Sequence, residues 1–263
     1  MSYPHRTSLL RRACLTGAVA LVAGAAAVTL GASSGAAADG GVVYVVQGLP
    51  GRTVDVAIDG ETVASGVKGA TLTDALRIDS GSHTITFTSE GKRLLERSLT
   101  IKSGGSTDVV LHLPVDPAGA PVVTLFDNTS TPVTADKASV TVAHTAAVPP
   151  ADIRVNGKVF FANVANGESL NLVVPADTYA VDIVPAGASS PVVLGPLDLE
   201  VKGGSLNRVF AVGDPTSSSM RAVVQVLPLT ATGSPAPDLV DTGTGGQAAG
   251  DPADALLRVP LRR

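Results

Sequence analysis

The side chains of this sequence that suit acid–base or metal chemistry are thinly spread. Past residue 38 the histidines are His83, His112 and His144, far apart and with no His-x-x-x-His pair. Metal binding needs converging ligands, and neither a thiolate nor an Asp-rich calcium loop is there to supply them. Asp55 and Asp59 share one strand parity, so their carboxylates face the same way and can hold a cation or simply be solvated. Ser65-x-x-Lys68 matches an acyl-transfer motif in letters. That chemistry puts the serine at a helix start, whereas this serine lies in an expected turn, with no Ser-Asp-Asn or Lys-Thr-Gly companion. No catalytic residue, cofactor site or metal site is expected, and the chain is read as a non-enzyme.

The elements around these residues repeat. The stretch Thr53-Val54-Asp55-Val56-Ala57-Ile58-Asp59-Gly60 returns as Ala151-Asp152-Ile153-Arg154-Val155-Asn156-Gly157. Each copy is an alternating strand running into Asp-Gly or Asn-Gly, a strong hairpin signal. Asp59 and Gly60, and Asn156 and Gly157, are therefore assigned to hairpin turns. The aspartate kept in both copies, Asp55 or Asp152, remains a candidate, but Asn156 in place of Asp59 argues against a two-carboxylate site. At an offset near 97 residues Val43 meets Val140, Leu76 meets Leu172, His83 meets Tyr179 and Gln47 meets His144. His144 shares the parity of Val140 and Val142, so its ring faces the core end of a strand. There it ties down loop backbone groups more naturally than it binds a ligand.

Short alternating runs with turns every 8 to 12 residues signal all-β sandwiches. The stretch Ser65-Gly66-Val67-Lys68-Gly69 is expected to turn between two of them. The sequence divides into an export segment (1–38), a first β-sandwich (39–127), a polar linker (128–137), a second sandwich (138–229) and a disordered tail (230–263). The first segment has basic residues Arg6, Arg11 and Arg12, an apolar run, and Ala36-Ala37-Ala38, with cleavage expected after Ala38. Without cleavage this segment would be the one membrane contact. In the tail, Leu239-Val240-Asp241-Thr242-Gly243 resembles a sortase motif with Val in the place of Pro, followed by a basic end but almost no apolar span.

The formal net charge of −4 becomes −7 on cleavage, because three arginines and no acid are lost. An acidic chain is a poor match for nucleic acid or anionic membrane. Cys14, the single cysteine, lies in the export segment, so the mature chain has no thiol chemistry.

With the repeat aligned, Gln47-Gly48-Leu49-Pro50 followed by Val54-Asp55-Val56 and Asp59-Gly60 resembles the family called domain of unknown function 4397. His144, then Pro149-Pro150-Ala151-Asp152 and Asn156-Gly157, resembles it more loosely. The resemblance implies tandem immunoglobulin-like antiparallel sandwiches in an exported bacterial protein, typical of actinobacteria, with no catalytic residue to carry over. The function expected is binding or adhesion at the cell envelope, to a protein or a cell-wall polysaccharide. A surface spacer is the alternative, and an envelope hydrolase has least to support it. N-terminal sequencing of protein recovered outside the producing cell is expected to begin at Asp39; recovery of the chain only from the cytoplasm would contradict export.

Overall fold

The computed structural model describes residues 40–229, and these are all-β: seventeen strands and no helix. The expected cleavage point at Ala38, the export segment and the tail lie outside the described residues. The first half comprises β1 (Gly41–Gln47), β2 (Thr53–Ile58), β3 (Glu61–Lys68), β4 (Thr71–Leu72), β5 (Leu76–Ile78), β6 (Gly81–Ser89), β7 (Lys92–Ile101), β8 (Ser106–His112) and β9 (Val122–Asp127). One sheet has the order β4-β1-β8-β9, with β5 also on β1, and the other has β3-β2-β6-β7. The second half comprises β10 (Lys137–Ala146), β11 (Ala151–Val155), β12 (Lys158–Val164), β13 (Ser169–Pro175), β14 (Thr178–Pro185), β15 (Leu194–Glu200), β16 (Ser205–Gly213) and β17 (Arg221–Pro228). Its sheets run β13-β10-β16-β17 and β12-β11-β14-β15, the same plan with β13 standing for β4 and β5 together.

In each half the two sheets face one another across a core, because alternate residues of their strands are apolar. Val43, Val45, Val56, Ile85, Phe87 and Leu99 meet in the first half, and Val140, Val142, Ile153, Val181, Ile183 and Val209 in the second. The pairing is antiparallel except between β1 and β8 and between β10 and β16, which are parallel. Parallel neighbours need a long crossover, and here the chain traverses the opposite sheet between them. The stretch Ser65-Gly66-Val67-Lys68-Gly69, expected as a turn, instead continues β3 to Lys68, and the turn falls at Gly69 and Ala70. The left-handed Gly66 (φ 66°) lies in a register shift of the β2–β3 ladder, so the glycine makes a bulge rather than an end.

A third apolar cluster lies between the halves. On β8 and β16, Val109, Leu111, Val209 and Ala211 serve the inner cores, while Val110, Phe210 and Val212 on the opposite faces pack with Val46, Phe126, Ala143 and Val223. Both strands are therefore buried on both faces, which is why Val109-Val110-Leu111 and Val209-Phe210-Ala211-Val212 read as unbroken apolar runs. Gly48 permits close approach here, since a Cβ would come within 2.9 Å of Val212.

The junction also holds a buried ion pair. Arg208 Nη1 is 3.3 Å from Asp108 Oδ2, with the side chains 4% and 0% exposed. Arg208 Nη2 donates to the Asp127 carbonyl at 2.8 Å, and its guanidinium lies 5.8 Å from the Phe126 ring centre. Asn128 donates to Asp108 Oδ1 at 2.8 Å, which ties the first linker residue into the junction. Burial pushes the Asp108 carboxyl up, against Asn128 and the Arg208 charge, and pushes Arg208 down. Removing one member of such a pair strands the other charge in a dry interface. Arg208→Ala is expected to cost about 3–5 kcal/mol in urea unfolding, and the double change Asp108→Leu with Arg208→Met much less. Equal losses in the two variants would contradict this account of the junction.

Candidate functional site

The two hairpins take the geometry their sequences call for. Asp59 and Gly60 have φ of 51° and 86°, and Asn156 and Gly157 have 50° and 76°, the double left-handed signature of a type I′ turn. Asp59 Oδ1 accepts from the Thr84 amide at 2.7 Å, and Asn156 Oδ1 accepts from the Ala180 amide at 3.2 Å. An Asp or Asn oxygen performs this role equally well, which explains the exchange between copies.

His83 belongs to the first hairpin. Its Nδ1 lies 2.6 Å from Asp59 Oδ2 and its Nε2 lies 2.9 Å from the Asp79 carbonyl. Both partners are acceptors, so only the doubly protonated ring can donate to both. The Asp59 hydrogen bond accordingly raises the His83 pKa, while the Thr84 amide and then His83 lower that of Asp59. Neither nitrogen faces a serine. In the second half Tyr179 replaces His83, and its hydroxyl donates to the Pro175 carbonyl at 2.9 Å, again four residues back.

The candidates Asp55 and Asp152 act as bulge caps. Asp55 Oδ1 accepts from the Gly66 amide at 2.8 Å, and Asp152 Oδ1 from the Asn163 amide at 2.8 Å. Gly66 and Asn163 both have positive φ. Asp152 Oδ2 also accepts from the Gly187 amide at 2.9 Å. Asp55 and Asp59 hold different backbone amides, and neither they nor any other group of three His, Cys, Asp or Glu among the described residues forms a metal-binding cluster.

His144 and Gln47 each fasten the loop after their own strand. Gln47 donates to the Arg52 carbonyl at 2.9 Å and accepts from the Leu49 amide at 2.5 Å. His144 Nε2 donates to the Pro149 carbonyl at 3.3 Å, and its pKa is lowered by burial. His112, far from His144 in the sequence, comes close enough for their charges to interact. It is fully buried, with Nδ1 donating to the Leu113 carbonyl at 2.8 Å and Nε2 lying 2.9 Å from the Thr124 hydroxyl, and burial pushes its pKa down to about 4.

The described residues also form an apolar pocket that sequence reasoning missed. Phe160, Phe161, Leu172, Val174, Tyr179 and Val201 help to line a small apolar pocket between the sheets of the second half, of about 60 Å³ and partly open to solvent. A smaller apolar pocket of about 10 Å³ shares Val142, Val181 and Leu199 with it. Its lining includes residues of β12 and β13, each the outer strand of its sheet. Phe160 is the extra residue of a bulge, since Ile153 pairs with Phe161 and Arg154 with Val159. In the first half the corresponding residues are Val63 and Ala64, packed on the core. Seven of the eight exposed large apolar side chains lie in the second half, including Val159, Phe160, Leu170 and Val173 on these two edges. The signal in the sequence was Val159-Phe160-Phe161 on a strand whose counterpart reads Thr62-Val63-Ala64.

Residues 41–151, from the start of β1 to the first residue of β11, match the model of a family described as Domain of unknown function (DUF4397). No curated protein matches the chain.

The depressed His112 pKa gives a pH dependence. A ring held neutral in the fold, with its pKa below the ordinary 6.5, favours unfolding once protonation becomes possible. Its contribution is complete above pH 6.5 and is lost as pH falls toward 4, by about 3 kcal/mol in all. The stability difference between the parent and His112→Gln, measured by urea unfolding at several pH values, is expected to shrink by that amount over this window. A difference independent of pH would contradict the assignment.

Proposed function

We propose, from the premise that this is a DUF4397-like protein, that it is an exported, non-enzymatic binding module of the cell envelope or medium, built from two copies of one β-sandwich unit. The observation that carries this reading is the small apolar pocket lined in part by β12 and β13, with Phe160 on it exposed and Leu170 exposed nearby on β13. Contiguous exposed apolar surface on a free sheet edge is the usual mark of a site met by another chain. Main-chain hydrogen bonds along an outer strand supply affinity, and alternate side chains entering the pocket supply selectivity.

A protein segment suits the site better than a polysaccharide. Sugar rings stack on flat aromatic faces, and the chain has no tryptophan, while Phe160 is the one exposed large aromatic among the described residues. The engaged nitrogens of His83, with no serine beside them, support the non-enzyme reading. The spacer alternative draws on the buried junction, which holds the halves sheet to sheet. It leaves the exposed Phe160 without a role.

The test uses mature protein immobilised to capture envelope proteins from the producing cells. Phe160→Asp is expected to weaken capture by about 2 kcal/mol, roughly thirtyfold in affinity, because an aromatic anchor in a pocket dominates such contacts. Capture unchanged by Phe160→Asp, or turnover of a wall substrate, would overturn the reading.

A further inference from the structure

His83 holds together two segments of the first half that the chain path keeps apart. β5 pairs with β1 in one sheet, and β6 pairs with β2 and β7 in the other, so the chain crosses between the sheets at Asp79-Ser80. From β6 the His83 ring reaches back to this crossing, with Nε2 2.9 Å from the Asp79 carbonyl, and across to the β2–β3 hairpin, with Nδ1 2.6 Å from Asp59 Oδ2. We propose that His83 is a pH-operated clasp: the doubly protonated ring pins the Asp79-Ser80 crossing to the hairpin, and the neutral ring releases the crossing. The clasp lies wholly in the first half and is independent of the binding reading above.

The direction of release follows from the two contacts. A neutral imidazole has one N–H and one lone pair, whereas the Asp59 carboxylate and the Asp79 carbonyl both accept. Loss of a proton therefore sets a lone pair against an oxygen at one of the two contacts. A bond to a carboxylate is about twice as strong as one to a neutral carbonyl, so the remaining proton stays at Nδ1, on Asp59. The Asp79 contact is the one given up. Asp59 keeps its place in both states, because its Oδ1 accepts from the Thr84 amide at 2.7 Å.

The surroundings favour the charged ring. Beside it lies an open concavity of about 260 Å³ bordered by Asp59, by Glu61 of β3, by Arg77 of β5 and by Asp79, three acids against one base. Across the β6–β7 ladder His83 meets Leu99; Arg97 donates to the Val123 carbonyl, and Lys102, just past β7, is paired with Asp127. The Asp59 hydrogen bond raises the His83 pKa above the ordinary 6.5, against burial, while the Thr84 amide and then His83 hold Asp59 below 3.8. The clasp is thus closed below pH 6.5 and opens as pH rises through the raised value; in acid it is lost only as Asp59 is protonated below 3.8. The Asp59 side chain is 54% exposed, so the pair adds little to global stability and its effect is local.

The second half makes the corresponding bridge without a switch. Tyr179 donates one neutral bond to the Pro175 carbonyl at 2.9 Å, and Asn156, which caps the hairpin there, carries no charge. Both members of the His83–Asp59 pair therefore change together between the copies.

Nuclear magnetic resonance on residues 39–263, from about pH 5 to about pH 9, tests this. The His83 ring and the Asp79 carbonyl are expected to shift through one common midpoint above 6.5. Over the same transition the order parameter of Ser80 is expected to fall from about 0.85 to below about 0.6. Pro175 and Ala176, the matching residues of the second half, are expected to show no such transition. Asp59→Asn, which keeps an oxygen for the Thr84 amide as Asn156 does for Ala180, is expected to lower the midpoint. A midpoint at or below 6.5, or one unchanged by Asp59→Asn, would overturn the inference. So would a ring that titrates while the Asp79 carbonyl and the Ser80 order parameter stay constant, since the pair would then be a fixed link and not a switch.

Discussion

β8 and β16 have no solvent face, and the contact between their outer sides carries a charge pair that neither half could bury alone. In the parallel ladders Val43 lies beside Thr107 and Val140 beside Asn207, so Asp108 and Arg208 occupy equivalent positions of the two halves. Sheets of the same plan thus meet through the same strands, as in an isologous contact. Identical copies would oppose like charges there; divergence to Asp108 and Arg208 turns that repulsion into a pair. Asp108 Oδ2 and Arg208 Nε and Nη1, with Asn128 Oδ1 and both polar atoms of the Gln225 side chain beside them, have no hydrogen-bond partner among the described residues. A half-satisfied polar cluster is a poor source of stability but a strong constraint on alignment, since sliding the sheets would strand the charges.

Around that junction the two halves apply one plan with different side chains. Gln47 and His144 each hold the loop after their strand, and Asp59 and Asn156 each cap a hairpin. His83 and Tyr179 each reach the carbonyl four residues back. These exchanges preserve hydrogen bonding and change little else. The exchange of Val63 and Ala64 for Phe160 and Phe161 is different in kind, because it accompanies an opening into the core beside an exposed outer strand. The proposed binding site therefore lies in the half in which the copies differ physically, rather than at the polar residues they share.

Much of the fold was legible because local rules decided it. The Asp-Gly and Asn-Gly turns, the alternation of Val54, Val56 and Ile58, and the inward side of His144 all follow from turn chemistry and strand parity. The parallel pairing of β1 with β8 was not legible, since it depends on strands distant in sequence. Gly66 misled because a glycine serves a bulge as readily as a turn, and the Asp55 bond that marks the bulge is tertiary. The junction left a trace in the unbroken apolar runs of β8 and β16, but an apolar run does not say what covers its second face. The opening was hidden for a similar reason: nothing in Val159-Phe160-Phe161 says that β12 is an outer strand, the position that leaves Phe160 exposed.

If the shared third cluster and the Asp108–Arg208 pair make the two halves one structural body, the halves cannot melt apart. Differential scanning calorimetry of residues 39–263 tests this most directly. The account predicts one transition with a calorimetric enthalpy equal to the van't Hoff enthalpy for the whole chain. Two resolved transitions, one for each half, would contradict it.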